Sequence, residues 1–411
     1  SEGQGWPTSI SNNTPETLDD LIHAAYNGRG EYLSAMDITS LQASLQSVID
    51  TIKQAAEGTG AAVGFNSTSI AEGSTLYQGK FNSTHWAGEL FAYDYSTGDV
   101  GTLLWEASDQ LDILVENSSR KIITYNGLTG VRFAAPSNYA SLNLADGDLS
   151  IAQMADLLIG GPLADGEKQH YVEDVVEHLR GDGDGTLNAE RSFRERESLL
   201  GDIVHSSPQF VGKPSHPYPN HIESSAAPYF SYVTDNAERT PIVYVGANDG
   251  MLHAFNADTG VEVFSYIPSA VFSTDVDAGL HHLASENYTH LPYVDATPTS
   301  ADVYINGWKT YLVGGLAGGG KSIYVLDITD PASLTTESAL ASSVVVSEFS
   351  DETLGYTYSR PRIAKLNDGE WVAIFGNGYN NSTDGEAYLY VLYLDGFGPN
   401  GSAYQKIGPL G

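Results

Sequence analysis

The chain has 411 residues, 52 acidic against 19 basic side chains, a formal charge of −33 and no cysteine. Such a charge repels nucleic acid and anionic membrane surfaces over long range, and the absence of thiols excludes disulfides, thiolate metal sites and a cysteine nucleophile. No apolar run approaches the roughly 18 residues that span a bilayer, so no membrane-spanning segment is expected.

Residues 1–75 read as a helical N-terminal segment that packs on the body of the protein. Thr14-Pro15 supplies a cap before Leu18, Leu21 and Ile22, and Asn27-Gly28 stops that helix; a second carries Leu41, Leu45, Val48, Ile49 and Ile52 and ends at Gly58. Residues 76–149 change to short alternating segments with turns at Ser96-Thr97-Gly98 and Asn126-Gly127, and are expected to form one blade of strands. Residues 150–200 read as an inserted segment, with helices at 150–159 and 170–180 and an acidic loop. Residues 201–411 are turn-rich and then almost continuously β, and are expected to continue beyond the chain end. Ser1 and Gly411 are therefore read as lying inside a longer protein.

A short theme organises this pattern. Gly88, Leu90, Ala92, Tyr93, Asp94, Thr97 and Gly98 recur as Gly250, Leu252, Ala254, Phe255, Asn256, Thr259 and Gly260. Looser copies read Gly320, Ile323, Val325, Leu326, Asp327 and then Leu389, Val391, Leu392. Alternating apolar residues that run into Asp or Asn and a Thr-Gly pair describe a strand closed by a tight turn. From Leu252 to Ile323 is 71 residues and from Ile323 to Leu389 is 66, a period that suits the blades of a β-propeller. The first two copies stand 162 residues apart, Gly88 to Gly250, which leaves room for the helices as an insertion between blades. The expected fold is mainly β, a propeller with quinoprotein-like blades. An exposed sheet edge would remain if only three or four blades were present, so further chain or a partner is expected to complete the ring.

Candidate sites are weak by comparison. Gly315-Leu316-Ala317-Gly318-Gly319-Gly320-Lys321-Ser322 satisfies the P-loop pattern, but Ile323-Tyr324-Val325-Leu326 continues it as a strand, where a phosphate cradle must open a helix. It reads as a glycine-rich turn. Asp182, Asp184, Asn188 and Glu190 alternate as calcium ligands do, although Leu187 and Phe193 stand where an EF-hand wants Gly and a carboxylate; a solvated acidic turn is the plainer reading. Arg180-Gly181-Asp182 is an RGD tripeptide at the end of a helix, where Gly181 also serves as an ordinary C-cap. His281-His282 lacks a third ligand at zinc spacing, and no nucleophile signature marks a catalytic centre, so no enzyme activity is expected.

The run from Val243 to Phe255, followed by Asp258-Thr259-Gly260 and Tyr266-Ile267-Pro268, resembles the signature of the PilC/PilY family of type IV pilus proteins in Gram-negative bacteria. Ala25 to Gly30, Leu76-Tyr77-Gln78 with Trp86, Leu179 to Asp182, Leu199 to Pro208, and Phe375 to Tyr379 match in the same order along nearly the whole chain. The resemblance implies a C-terminal β-propeller displayed extracellularly at a pilus tip, seated on minor pilins, adhering to a surface or host receptor, and balancing pilus extension against retraction. Calcium control is also implied, with the family's usual loop expected beyond residue 411. Gly201, Asp202, Gly246, Asn248, Asp249, Gly250, Asp258, Gly260, Gly376, Asn377 and Gly378 are the signature positions, with a structural role. Arg180-Gly181-Asp182 falls where some members carry an RGD.

A quinone-dependent dehydrogenase is the alternative, because its blades share the strand-turn theme and dock through a tryptophan after the turn. Trp105 follows the first copy here, whereas Tyr266-Ile267-Pro268 follows the second.

Overall fold

The computed structural model describes residues 59–67, 70–116, 119–136, 149–161, 165–181, 193–224, 226–398 and 401–410. The two helices expected before residue 58 lie outside these residues.

Four antiparallel sheets follow one another along the chain. The first is β1 (Thr59–Phe65), β2 (Thr75–Asn82), β3 (Ala87–Asp94) and β4 (Leu103–Glu106), each paired with the next. The second is β7 (Gln209–Val211), β8 (Ile242–Gly246), β9 (Leu252–Asn256) and β10 (Glu262–Ile267), with β5 (Ile122–Tyr125) added in parallel to β10 and β6 (Gly130–Arg132) outside it. The third is β11 (Thr299–Tyr304), β12 (Trp308–Gly314), β13 (Ile323–Asp327) and β14 (Val345–Phe349). The fourth is β15 (Arg362–Lys365), β16 (Trp371–Gly376), β17 (Leu389–Tyr393) and β18 (Tyr404–Ile407). The first strands β1, β7, β11 and β15 meet in that order, so the inner edges of the sheets share one axis, as propeller blades do.

All four copies of the repeated theme fall on the third strand of a sheet. That strand is paired on both edges and packs against at least one neighbouring sheet, so it reads as apolar almost throughout: Leu252 to Phe255, Ile323 to Leu326 and Tyr390 to Tyr393 are buried without a break. The polar residue that ends the theme has a separate task. Asp94, Asn256 and Asp327 each accept a hydrogen bond on the side chain from the backbone N–H two residues on, in Ser96, Asp258 and Thr329, which starts the turn. Gly98 and Gly260 then take φ of 87° and 73°, a region that disfavours any side chain.

Between the first two sheets lies the insertion: α1 (Ala107–Glu116), β5, β6, α2 (Ile151–Leu157) and α3 (Asp165–Arg180). This departs from the expected division in two places. Residues 59–65 are the first strand of a blade and not the end of a helical segment, the bulge between Gly60 and Val63 having hidden its period. Residues 76–149 do not form one unit, because the first sheet closes at Glu106, a helix follows, and β5 and β6 extend the second sheet.

The cores lie between sheets. Tyr77, Leu90 and Trp105 meet Val243, Val245 and Phe255 between the first and second. Val303, Tyr311 and Val313 meet Trp371, Phe375 and Tyr390 between the third and fourth. The largest cluster joins the second sheet, α2, α3 and the third sheet, with α4 (Glu337–Val344) covering β6. Trp105 docks as the tryptophans of the quinone-enzyme alternative would: its ring packs on Gly260 and its Nε1–H donates to the Ala257 carbonyl at 2.9 Å, tying the first sheet to the turn of the second. Among the described residues no helix is long and apolar enough to cross a membrane.

Candidate functional site

The signature positions assemble into two joints. Gly201 pairs with Ala87 of β3 and donates its N–H to Asp249 Oδ2 at 2.8 Å, and an added Cβ there would stand 2.4 Å from the Asp249 nitrogen. Asn248 donates from Nδ2 to Asp202 at 2.7 Å and accepts the Tyr293 N–H at 2.9 Å. Gly246 lies against the Val294 carbonyl, and Gly250 turns the chain at φ 89°. Asp258 and Gly260 form the turn beneath Trp105. In the fourth sheet Asn377 donates to the Thr353 and Glu386 carbonyls, both at 2.9 Å, between Gly376 and Gly378. Buried amides and carboxylates with every partner met position the loops between strands; they present nothing to a ligand.

A buried chain of charges runs through the first joint. Arg120 grips Glu262 with two donors at 2.8 and 3.0 Å, Glu262 accepts from His253 Nδ1 at 2.8 Å, and His253 Nε2 reaches Asp249 at 3.0 Å. Burial alone would push the His253 imidazole down, but the two carboxylates on its nitrogens outweigh it and hold it up at about 9. Burial likewise opposes ionisation of Glu262 and Asp249, yet Arg120 and His253 hold Glu262, and His253 with the Gly201 N–H holds Asp249, below the usual carboxylate range. The signs alternate, so the chain is neutral as a whole. Arg120 also donates to the Arg180 carbonyl at 2.9 Å, so the network spans α3, the second sheet and the edge of the first. Sequence reasoning missed it, although a signal existed. The position after the first apolar residue of each theme is Phe91, His253, Tyr324 and Tyr390, and only the second copy carries an imidazole at a slot otherwise filled by Phe or Tyr.

The remaining sequence candidates behave differently. Arg180 of the RGD tripeptide points inward, donating to the Phe133 and Arg120 carbonyls at 2.8 Å each and pairing with Glu337 at 2.9 Å. Gly181 ends α3 at φ 85°, and Asp182 lies outside the described residues. Asp184, Asn188 and Glu190 of the acidic loop lie outside them too. The glycine-rich run 315–322 joins antiparallel β12 to β13 with no helix after it, and Lys321 donates to the Asn380 carbonyl at 2.6 Å. His281 is held by Asp156 at 2.9 Å, and His282 faces Thr289. Among the described residues no group of three or more His, Asp or Glu side chains could hold a metal ion.

The open feature is a cleft of about 990 Å³ where the first strands converge, lined by Phe65 of β1, Gln209 and Phe210 of β7, Ser300 of β11, and Arg360 just before β15. A hollow of about 430 Å³ adjoins it through Phe210, Ser215 and His216 and adds Lys213, Arg239 and Asp302. No sequence motif marks either, because each strand contributes only one or two side chains.

Residues 200–410, just over half of the chain, match the family model described as the PilY1 beta-propeller domain. The type IV pilus biogenesis factor PilY1 of Pseudomonas aeruginosa strain PAK is 36% identical over 404 residues, which cover 94% of this chain and 32% of that protein. The type IV pilus biogenesis factor PilY1 homolog of Xylella fastidiosa is 32% identical over 397 residues, 92% of this chain and 29% of that one. The chain thus spans about a third of the length of these curated relatives. The crystal structure of the Pseudomonas aeruginosa PilY1 C-terminal domain is 30% identical, covers 49% of this chain and 37% of that one, and aligns with a TM-score of 0.36.

Proposed function

This chain belongs to the PilY1 beta-propeller family, and from that membership we propose that it serves a type IV pilus as a tip-associated adhesin that also acts in the balance of assembly and retraction. The observation that carries the reading is the family match over residues 200–410, supported by relatives named type IV pilus biogenesis factors that align along 94% of the chain. Minor pilins on one side and a surface or host receptor on the other are the proposed partners, outside the cell. A scaffold whose signature residues hold the loops between sheets, with an open cleft on its axis, suits binding better than turnover.

The quinone-enzyme alternative gains from the docking of Trp105, which those blades share. It needs a funnel-end cluster of Glu, Asn and Asp, and the described residues lining the axial cleft include Asn66 but no Asp or Glu.

Sheared filaments from the native organism, labelled with an antibody to this chain, test the proposal. Label at one filament end, with twitching lost when the gene is deleted, is expected. Filaments free of the chain, together with quinone absorbance in the isolated protein, would move the assignment to the dehydrogenase.

A further inference from the structure

We propose that the axial cleft binds an acidic sugar, with a uronate carboxylate paired to the guanidinium of Arg360. In a chain where 52 of 411 residues are acidic, roughly one lining position in eight should be Asp or Glu, yet among the described residues lining this cleft there is none. Its charge comes from Arg360. That guanidinium is oriented entirely by neutral acceptors: Nε donates to Thr299 Oγ1 at 3.0 Å, and Nη2 to Gln209 Oε1 at 2.7 Å and to the Pro298 carbonyl at 3.1 Å. Such partners fix the plane of the fork and leave its charge uncompensated, which is the arrangement that receives a carboxylate. Burial lowers the Arg360 proton affinity and the nearby Arg362 lowers it further, the direction expected of a guanidinium with no countercharge beside it.

The adjoining hollow repeats the theme. Arg239 is held by the Gly212 carbonyl, Thr310 Oγ1 and the Thr329 carbonyl, again all neutral, and exposed Lys213 stands beside it. Its one carboxylate, Asp302, is buried and already accepts from Tyr229 and Thr310. Thr310 Oγ1 links Arg239 to Asp302, so the cation open to a second carboxylate in that hollow is Lys213, and Arg360 and Lys213 in connected hollows fit a ligand with repeated carboxylates. The lining between them decides the class: Ser207, Ser215 and Ser300 offer hydroxyl groups to ligand hydroxyls, and Phe65, 44% exposed, offers a flat apolar face to a pyranose ring. A polyuronate satisfies both features, and the cleft volume suits a short oligomer.

The inference deepens the adhesive reading and rests on it for its biological setting. The test needs no pilus, so failure in solution and absence from filaments are separate results. Oligogalacturonate of three to six units is titrated calorimetrically into the full chain, with neutral oligogalactose and an oligoglutamate peptide in parallel. Binding of the uronate but not of the neutral sugar is expected, weakened about 10-fold or more by Arg360→Gln with the melting temperature unchanged, and weakened as salt rises. If Arg360→Gln lowers the melting temperature, Arg360→Lys carries the test: it keeps the charge and loses the fork, and a drop of about 3-fold or more is expected. No uronate binding at millimolar concentration, equal binding of the neutral sugar, preference for the glutamate peptide, or indifference to both Arg360 variants would overturn the proposal.

Discussion

Arg120→Met probes the buried charge chain most directly. Arg120 and Glu262 are each 1% exposed and joined by two hydrogen bonds, so removing the guanidinium leaves Glu262 ionised with only His253 and Ser265 as partners. The four-member chain, neutral in the wild type, becomes a net −1 in a dry interior. Breaking one side of a buried pair in this way costs about 3–5 kcal/mol, and the Arg180 carbonyl loses a donor worth about 1 kcal/mol. A melting temperature lowered by roughly 5–15 °C follows for a unit of this size. The double variant Arg120→Met with Glu262→Leu removes both charges and fills the volume, while His253 keeps Asp249; it is expected to recover at least half of the loss. Thermal and urea unfolding of wild type, single and double variants give the comparison. A single variant that loses less than about 1 kcal/mol, or a double variant no better than the single, would refute the claim that burial of an unpaired charge sets the cost.

The same chain predicts a pH dependence. His253 is raised from 6.5 to about 9 on folding, so its contribution is complete below pH 6.5 and is lost as pH rises through 9; His253→Gln should flatten the alkaline limb of a melting-temperature profile. Glu262 and Asp249 are lowered from 4.5 and 3.8, so their contribution holds above those values and disappears on acidification, and Glu262→Gln should flatten the acid limb in the same experiment. Trp105→Ala removes the ring seated on Gly260 and should cost about 3–5 kcal/mol, with protease cleavage appearing first in residues 59–106. Gly319→Ala would place a Cβ 1.7 Å from the Tyr293 carbonyl oxygen, and a loss of about 1–3 kcal/mol or more is expected in urea unfolding, with no ATP binding by either form if the glycine-rich run is a hairpin loop.

How much of this could be read in advance depends on where each residue's partners lie. The theme of Leu90, Leu252, Ile323 and Leu389 was legible because the third strand of each sheet is central and largely buried and in three copies ends in a side-chain-capped turn, so its environment is written within about ten consecutive residues. The P-loop look-alike could be dismissed for the same local reason, since Ile323 to Leu326 alternate as a strand. The strand β1 escaped notice because its bulge breaks the period and Gly60, Gly64 and two alanines give it little apolar signal.

Sequence by itself therefore determined the blade repeat, the interruption between its first two copies, the family resemblance and the acidic surface, all of which are properties of contiguous segments or of the sum over residues. Only the tertiary structure decided that Arg120 meets Glu262 across 142 positions, that Arg180 turns inward to Glu337 across 157, and that Arg360 joins Gln209 across 151 at the axis. The first two meetings arise because the insertion adds β5, β6 and α3 beside β10 of the second sheet, and the third because a propeller brings the first strand of every blade to one line. A charge acquires its partner, or is left without a countercharge, only when separate blades close around it.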